Sequence, residues 1–177
     1  MCGIVGILGT GPVAGQIVDA LKRLEYRGYD SAGIATLEAG RLTRRRAEGK
    51  LRNLEARLSS APLSGPIGIG HTRWATHGKP TEANAHPHAS DRLAVVHNGI
   101  IENFKALREE LSAKGHKFET ETDSEVAAFL VTDELAAGKS PVAAVAAALP
   151  RMRGAYALAY LFDGEDNLLI GDRKSVV

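Results

Sequence analysis

The chain holds one cysteine, and it stands second in the run Met1-Cys2-Gly3-Ile4-Val5-Gly6-Ile7. A small second residue permits removal of Met1, and Cys2 then carries both a thiol and a free α-amine. That is an N-terminal nucleophile, whose amine serves as base for its own side chain. A free α-amine titrates at about 7.7–8.0 and a free thiol at about 8.5, so part of the amine is able to accept a proton near neutral pH. Both groups sit on one residue, where a direct N···H–S bond is badly angled, so a water is expected to relay the proton. The plainer reading is a small buried hydrophobe among Ile, Val and Leu, and position alone does not separate the two.

Asn98-Gly99 is the second candidate. Between apolar runs this dipeptide is a strong hairpin signal. One amide side chain beside one backbone N–H also makes an oxyanion hole, and a tight turn would serve both readings. His86-Pro87-His88 suggests a metal, but no third ligand follows at a convincing spacing, so none is expected. Gly9-x-Gly11-x-x-Ala14, with Glu38 ending the next apolar run, has the outline of a dinucleotide-binding fingerprint. Alone that pattern is weak.

These residues need elements to position them. Cys2 to Leu8 reads as a buried strand. Pro12 opens a helix with Ile17, Val18, Leu21 and Leu24 at helical spacing, running through Tyr26. Ser31–Leu37 and Arg41–Ala47 flank Glu38-Ala39-Gly40 as a hairpin. Arg41, Arg44, Arg45 and Arg46 read as a solvated strand face, since no aromatic residues interleave for nucleic acid. Leu51, Leu54 and Leu58 mark a short helix. Ile67 to Trp74 is a strand, and residues 75–91 form a long polar segment that suits a lid. Leu93 to His97 is another strand. Asn103 caps a helix through Lys114 that Gly115 ends. Asp123 or Thr122 caps the apolar helix Val126 to Ala136. Ser140-Pro141 opens a helix to Leu149, and Gly154–Phe162 pairs with Leu168–Gly171 across Asp163-Gly164. Strands come in hairpins with helices grouped between them, which argues for an α+β layered domain over a doubly wound sheet.

Composition sets outer limits. At 177 residues, 44% hydrophobic and 24% charged, with net charge +1, the chain is an ordinary globular domain with no general attraction to nucleic acid or membrane. One cysteine excludes an internal disulfide and suits a reducing cytoplasm. The start lacks a basic n-region, and Gly3, Gly6 and Gly9 interrupt its apolar run, so no signal peptide is read there.

Six stretches together carry a resemblance: Cys2-Gly3-Ile4-Val5-Gly6, Tyr26 to Gly33, His71 to Gly78, Asn84 to His88, Val96 to Asn103 and Glu121 to Glu125. In that order they resemble the glutaminase domain of the glutamine–fructose-6-phosphate amidotransferases, within the class II amidotransferases, from Cys2 to about Asp172. The resemblance implies a four-layer αββα sandwich of two antiparallel sheets between helices, the N-terminal-nucleophile hydrolase fold. It implies hydrolysis of the side-chain amide of L-glutamine, with no cofactor. Cys2 would attack the amide carbon, while Asn98 and Gly99 would hold the oxyanion. Arg73 would bind the α-carboxylate and Asp123 the α-ammonium. Trp74, Thr76 and His77 would belong to the lid, Arg27 and Gly28 would help position the nucleophile, and His86 would lie near the site in a role left open.

Relatives of this kind continue into two sugar isomerase domains, whereas this chain ends Arg173-Lys174-Ser175-Val176-Val177. By itself it is expected to yield glutamate and ammonia, with no aminated sugar, and to be a monomer. Two rival readings remain: a glutamine-binding domain in which retained Met1 blocks the amine, and a dinucleotide-binding domain built on Gly9–Ala14.

Overall fold

Period-two alternation builds the layers. In the strand β2 (Ser31–Glu38), Ala32 and Ile34 lie on one face while Ala35 and Leu37 lie on the other. In β4 (Ile67–Arg73), Ile67 and Ile69 share the face of Ala35 and Leu37. Its opposite face carries Gly68 and Gly70, where an added Cβ would sit 2.6 Å and 2.3 Å from atoms of Ile17. The glycines therefore let a helix, α1 (Ala14–Lys22), lie directly on the strand. In this computed structural model, residues 2–74 and 78–174 are described.

The first sheet has the order β1 (Gly3–Leu8), β4, β2 and β3 (Arg41–Glu48), all neighbours antiparallel. Helices α1 and α2 (Leu51–Ser60) cover its outer face through Ile17, Leu21, Leu51 and Leu54. The second sheet has the order β5 (His88–Ala89), β6 (Leu93–Gly99), β7 (Tyr156–Phe162) and β8 (Leu169–Lys174), again antiparallel. Its outer face packs under α3 (Phe104–Ala113), α4 (Glu125–Ala136) and α5 (Pro141–Ala148). Ala35, Leu37, Ile67, Ile69, Ala94, Val96, Ala159 and Leu161 fill the space between the sheets. The result is the αββα order.

Five readings of the sequence change, the first being the helix expected to run through Tyr26: α1 ends at Lys22, and a separate 3₁₀ turn covers Glu25–Arg27. Asn98 and Gly99 make no turn: they continue β6, opposite Ala157 and Tyr156. Asp123 and Thr122 do not cap α4, because Ser124 takes the N-cap position. Asn103 precedes α3 without capping it through its side chain, and instead donates to Arg151 O and accepts from Arg153 N–H. Arg41 is exposed, but the other three arginines of β3 are anchors: Arg44 donates to Pro87 O, Arg45 to Ala61 O, and Arg46 to Ala83 O and Ala85 O. Residues 83–87, in the segment after β4, are thereby tied down, and β5 follows them.

Gly9–Ala14 is no dinucleotide cradle. The strand before it lies in an antiparallel sheet, and the N–H groups of Gly9 and Val13 donate to Pro66 O at 2.8 Å and Gly65 O at 3.1 Å. At the end of the sandwich marked by Glu38, Leu93 and Phe162, the two sheets meet through their turns. Gly164 N–H donates to Gly40 O at 2.7 Å, Gly40 N–H to Asp166 Oδ1 at 2.8 Å, and Leu42 N–H to Asp163 Oδ1 at 2.9 Å. The opposite end holds the candidate site. No helix among the described residues is long and apolar enough to cross a membrane.

Candidate active site

The site is built where β1, β4 and β6 end together. Gly3 is opposite Thr72, which places Cys2 beside the end of β4. An added Cβ on Gly3 would meet Leu24 Cβ at 2.8 Å and Thr72 Oγ1 at 2.9 Å, so glycine there lets β1 sit close. The Cys2 sulfur accepts the Trp74 N–H at 3.2 Å. Burial raises the thiol pKa above 9.0, partly offset by that N–H. Gly28 presses on the same place: a Cβ there would stand 2.7 Å from Arg73 C and 2.8 Å from Trp74 N.

The facing sheet supplies the amide. Asn98 Nδ2 donates to Cys2 O at 3.1 Å, and Asn98 Oδ1 lies 2.9 Å from His71 Nε2. Gly99 follows with φ of 112°. A Cβ on it would reach 2.2 Å from Ala155 O, so glycine is required at this point in the strand.

Cys2, Gly99, Arg73, Asp123, His86 and His97 line one cleft, together with Trp74, Thr122 and Ser124. Arg73 is buried, and its guanidinium donates to Lys79 O at 3.1 Å and Gly78 O at 3.3 Å. Burial lowers its pKa, while the charges of Cys2, Asp30 and Asp123 oppose the shift. Asp123 Oδ2 accepts the Ile101 N–H at 2.9 Å. The cleft therefore has a cationic fork and a carboxylate on walls that also hold a thiol.

Behind it lies a buried polar layer. Ser124 Oγ is 2.9 Å from His86 Nε2 and 2.8 Å from His97 Nδ1. The His86 ring lies 4.1 Å from that of His71. His88 Nε2 reaches Thr122 Oγ1 at 3.1 Å, and Glu125 accepts the N–H groups of Glu119 and Thr120, each at 3.0 Å. Burial pushes His71 down to about 3, and His86 and His88 well below 6.5, so these rings are neutral. Among the described residues no group of three His, Cys, Asp or Glu is set to hold a metal ion.

Cys2, Asn98, Gly99, Arg73, Trp74, Asp123 and His86 thus come together. Trp74 stands at the rim, half exposed, edge-on to Tyr29 with ring centroids 5.6 Å apart. Arg27 lies at the surface, where its Nε donates to the Tyr26 hydroxyl at 2.9 Å. Thr76 and His77 lie outside the described residues.

Residues 71–175 match the glutamine amidotransferase domain family. Over 174 residues the chain is 70% identical to a protein of Brucella suis and 67% identical to one of Bradyrhizobium diazoefficiens, both named glutamine–fructose-6-phosphate aminotransferase (isomerizing). The chain belongs to the glutamine amidotransferase domain family. The aligned part is 98% of this amidotransferase domain and 29% of each relative, so the domain spans under a third of their length. Among solved structures, glutamine phosphoribosylpyrophosphate amidotransferase from B. subtilis superposes with a TM-score of 0.79 at 28% identity, over 92% of this chain and 35% of that one. The amidotransferase domain has the N-terminal-nucleophile hydrolase fold.

Several residues of this site escaped the sequence reading, His71, His97 and Ser124 among them. His71 and Ser124 both stood inside recognised stretches, yet neither was given a role. Alternation held the signal for His71, because it shares a face with Ile67 and Ile69, just as Asn98 shares one with Ala94 and Val96. No comparable pattern marks Ser124, whose bonds go to histidines on distant segments.

Proposed function

We propose that this chain hydrolyses the side-chain amide of L-glutamine to glutamate and ammonia, as the ammonia-supplying domain of a larger enzyme that aminates fructose-6-phosphate. The observation that carries the reading is one cleft lined by a free thiol, Gly99, a guanidinium and a carboxylate, with the Asn98 amide bonded to the Cys2 carbonyl beside it. Glutamine is a zwitterion with a terminal amide. Arg73 offers a planar fork to its α-carboxylate, and Asp123, whose Oδ1 lies 3.5 Å from Ser124 Oγ and 3.8 Å from His97 Nδ1, offers a carboxylate to its α-ammonium.

The chemistry follows from the geometry. Cys2 Sγ attacks the amide carbon, and the carbonyl π electrons move onto oxygen. Asn98 Nδ2 and the Gly99 N–H hold the resulting oxyanion, each donor worth about 2.7–4 kcal/mol of barrier. Once Met1 is removed, the Cys2 α-amine takes the thiol proton through water and passes it to the departing nitrogen. Collapse of the intermediate breaks the C–N bond, releases ammonia and leaves a thioester. Water then attacks the thioester, giving glutamate and restoring the thiol.

The amination half belongs to the larger enzyme. The relatives' name, glutamine–fructose-6-phosphate aminotransferase (isomerizing), and the 29% share of their length support sugar isomerase domains as partners of this one. The test is intact mass combined with glutamine turnover, before and after one equivalent of a thiol-directed glutamine analogue. Loss of Met1, glutamate formation and a single inactivating adduct on Cys2 are expected. Glutamate formed with Met1 still attached would rule out the α-amine as base, and binding without hydrolysis would make this a binding domain. Aminated sugar formed by the 177-residue chain alone would overturn the division of labour.

A further inference from the structure

We infer that His71 is a positioning residue for the oxyanion hole: it fixes which end of the Asn98 amide faces the nucleophile. The inference rests on the glutamine-hydrolysis reading. The two ends of an asparagine amide are nearly the same size, yet only the NH₂ end stabilises a negative oxygen. Inverted, Asn98 would set its own oxygen against the charge.

The structure contains a lock against that inversion. His71 Nε2 is 2.9 Å from Asn98 Oδ1 and 3.0 Å from His97 O. The His97 carbonyl is only an acceptor, so the ring hydrogen belongs on Nε2, where it is shared between two oxygens. An N–H at that place attracts Oδ1 and repels an NH₂ group. On the other side, Asn98 Nδ2 donates to the Cys2 carbonyl at 3.1 Å, which would repel Oδ1. Both neighbours select the same orientation, and one Nδ2 hydrogen remains for substrate.

The ring itself is held. His71 is fully buried, it lies on β4 between the sheets, and the His86 ring packs on it at 4.1 Å between centroids. Among the described residues its buried Nδ1 has no hydrogen-bond partner, as suits a bare lone pair better than an N–H. Burial also holds the ring neutral, so the lock does not open at ordinary acidity. His71 comes from one sheet and Asn98 from the other, and neither strand could set the amide alone.

The experiment combines kinetics with the tautomer. His71→Leu removes the donor, and kcat for glutamate formation should fall about 10²–10³-fold, the cost of one oxyanion donor, with little change in KM. His71→Gln restores an N–H and should recover most of the loss. His71→Leu combined with Asn98→Ala should be no slower than Asn98→Ala alone, because both remove one function. Nitrogen-15 spectra of histidine-labelled wild-type protein should show His71 neutral and protonated on Nε2. An Nδ1–H tautomer overturns the inference without any variant having to fold. So does a His71→Leu protein as fast as an active wild type. If wild-type protein freed of Met1 makes no glutamate, the hydrolysis reading itself has failed, and the inference falls with it.

Discussion

The backbone N–H of Trp74 donates to the sulfur of Cys2 across 3.2 Å. The residue just after β4 therefore grips the residue just before β1. Burial acts the other way and prevails, so the resting thiol is harder to ionise than an exposed one. Alkylation of Cys2 by iodoacetamide should accordingly be slow near neutrality and should still be climbing above pH 9.0. A rate that levels off near pH 7 would show a thiol already ionised.

Gly28 tests the same grip from behind. In Gly28→Ala the new methyl would fall within 2.8 Å of Arg73 O and Trp74 N, all backbone atoms that must shift. Turnover should drop by at least about tenfold, as for small displacements of catalytic groups. Folding, followed by circular dichroism, should survive. Unchanged kcat would mean that the strand end tolerates movement.

Two glycines with positive φ separate strain from collision. Gly115 has φ of 99° and open space around it, so Gly115→Ala should cost only backbone strain, about 1–3 kcal/mol. Gly99 has φ of 112° and a backbone oxygen 2.2 Å from its would-be Cβ. Gly99→Ala should lose clearly more in urea unfolding and should also abolish turnover. Equal losses at the two sites would contradict the packing described for β6 and β7.

The buried histidines predict acid sensitivity. His71, His86 and His88 have folded-state pKa values below the 6.5 of an unfolded chain. Between those values the unfolded state binds more protons. Their contribution to stability is therefore complete above pH 6.5 and is lost as pH falls toward about 3. Each ring adds a slope of up to about 1.4 kcal/mol per pH unit. Urea unfolding at about pH 7.5 and 5.5 should show the loss, with the slope reduced in His88→Gln. A flat profile would indicate histidines charged in the fold.

Arg73→Lys keeps the charge and removes the fork. Loss of a charge-assisted bond costs about 1.5–3 kcal/mol, so KM for glutamine should rise about 10- to 100-fold while kcat changes less. Steady-state kinetics over a wide glutamine range decide it, and an unchanged KM would remove Arg73 from the proposed carboxylate contact.

Much of this was legible in the sequence because strands and helices leave periodic marks. β2, β3 and β4 follow closely from the sequence pattern, the body of α1 follows from helical spacing though it stops at Lys22 rather than Tyr26, and Ser140 caps α5 as its Ser-Pro signature promises. Other features leave no periodic mark. Asn98-Gly99 carries turn chemistry, but the pairing of β6 with β7 continues through both residues, and the local signal loses to the ladder. Three arginines of β3 look solvated because their acceptors are carbonyls 16 to 43 residues further along the chain. Asp123 has the composition of a helix cap, yet its carboxylate is used by the Ile101 N–H. Each miss is a long-range bond that overrides a short-range preference.

The turn-to-turn bonds at the far end of the sandwich bear on precision. A slide of one sheet over the other by a single residue would separate Cys2 from Asn98 by about 3.3 Å, the rise of one strand residue. An oxyanion donor tolerates far less. The bonds of Gly40 with Gly164 and Asp166, and of Leu42 with Asp163, forbid that slide. They act as a gauge block, and the spacing between nucleophile and amide is metered along the length of two strands from a point that never meets substrate.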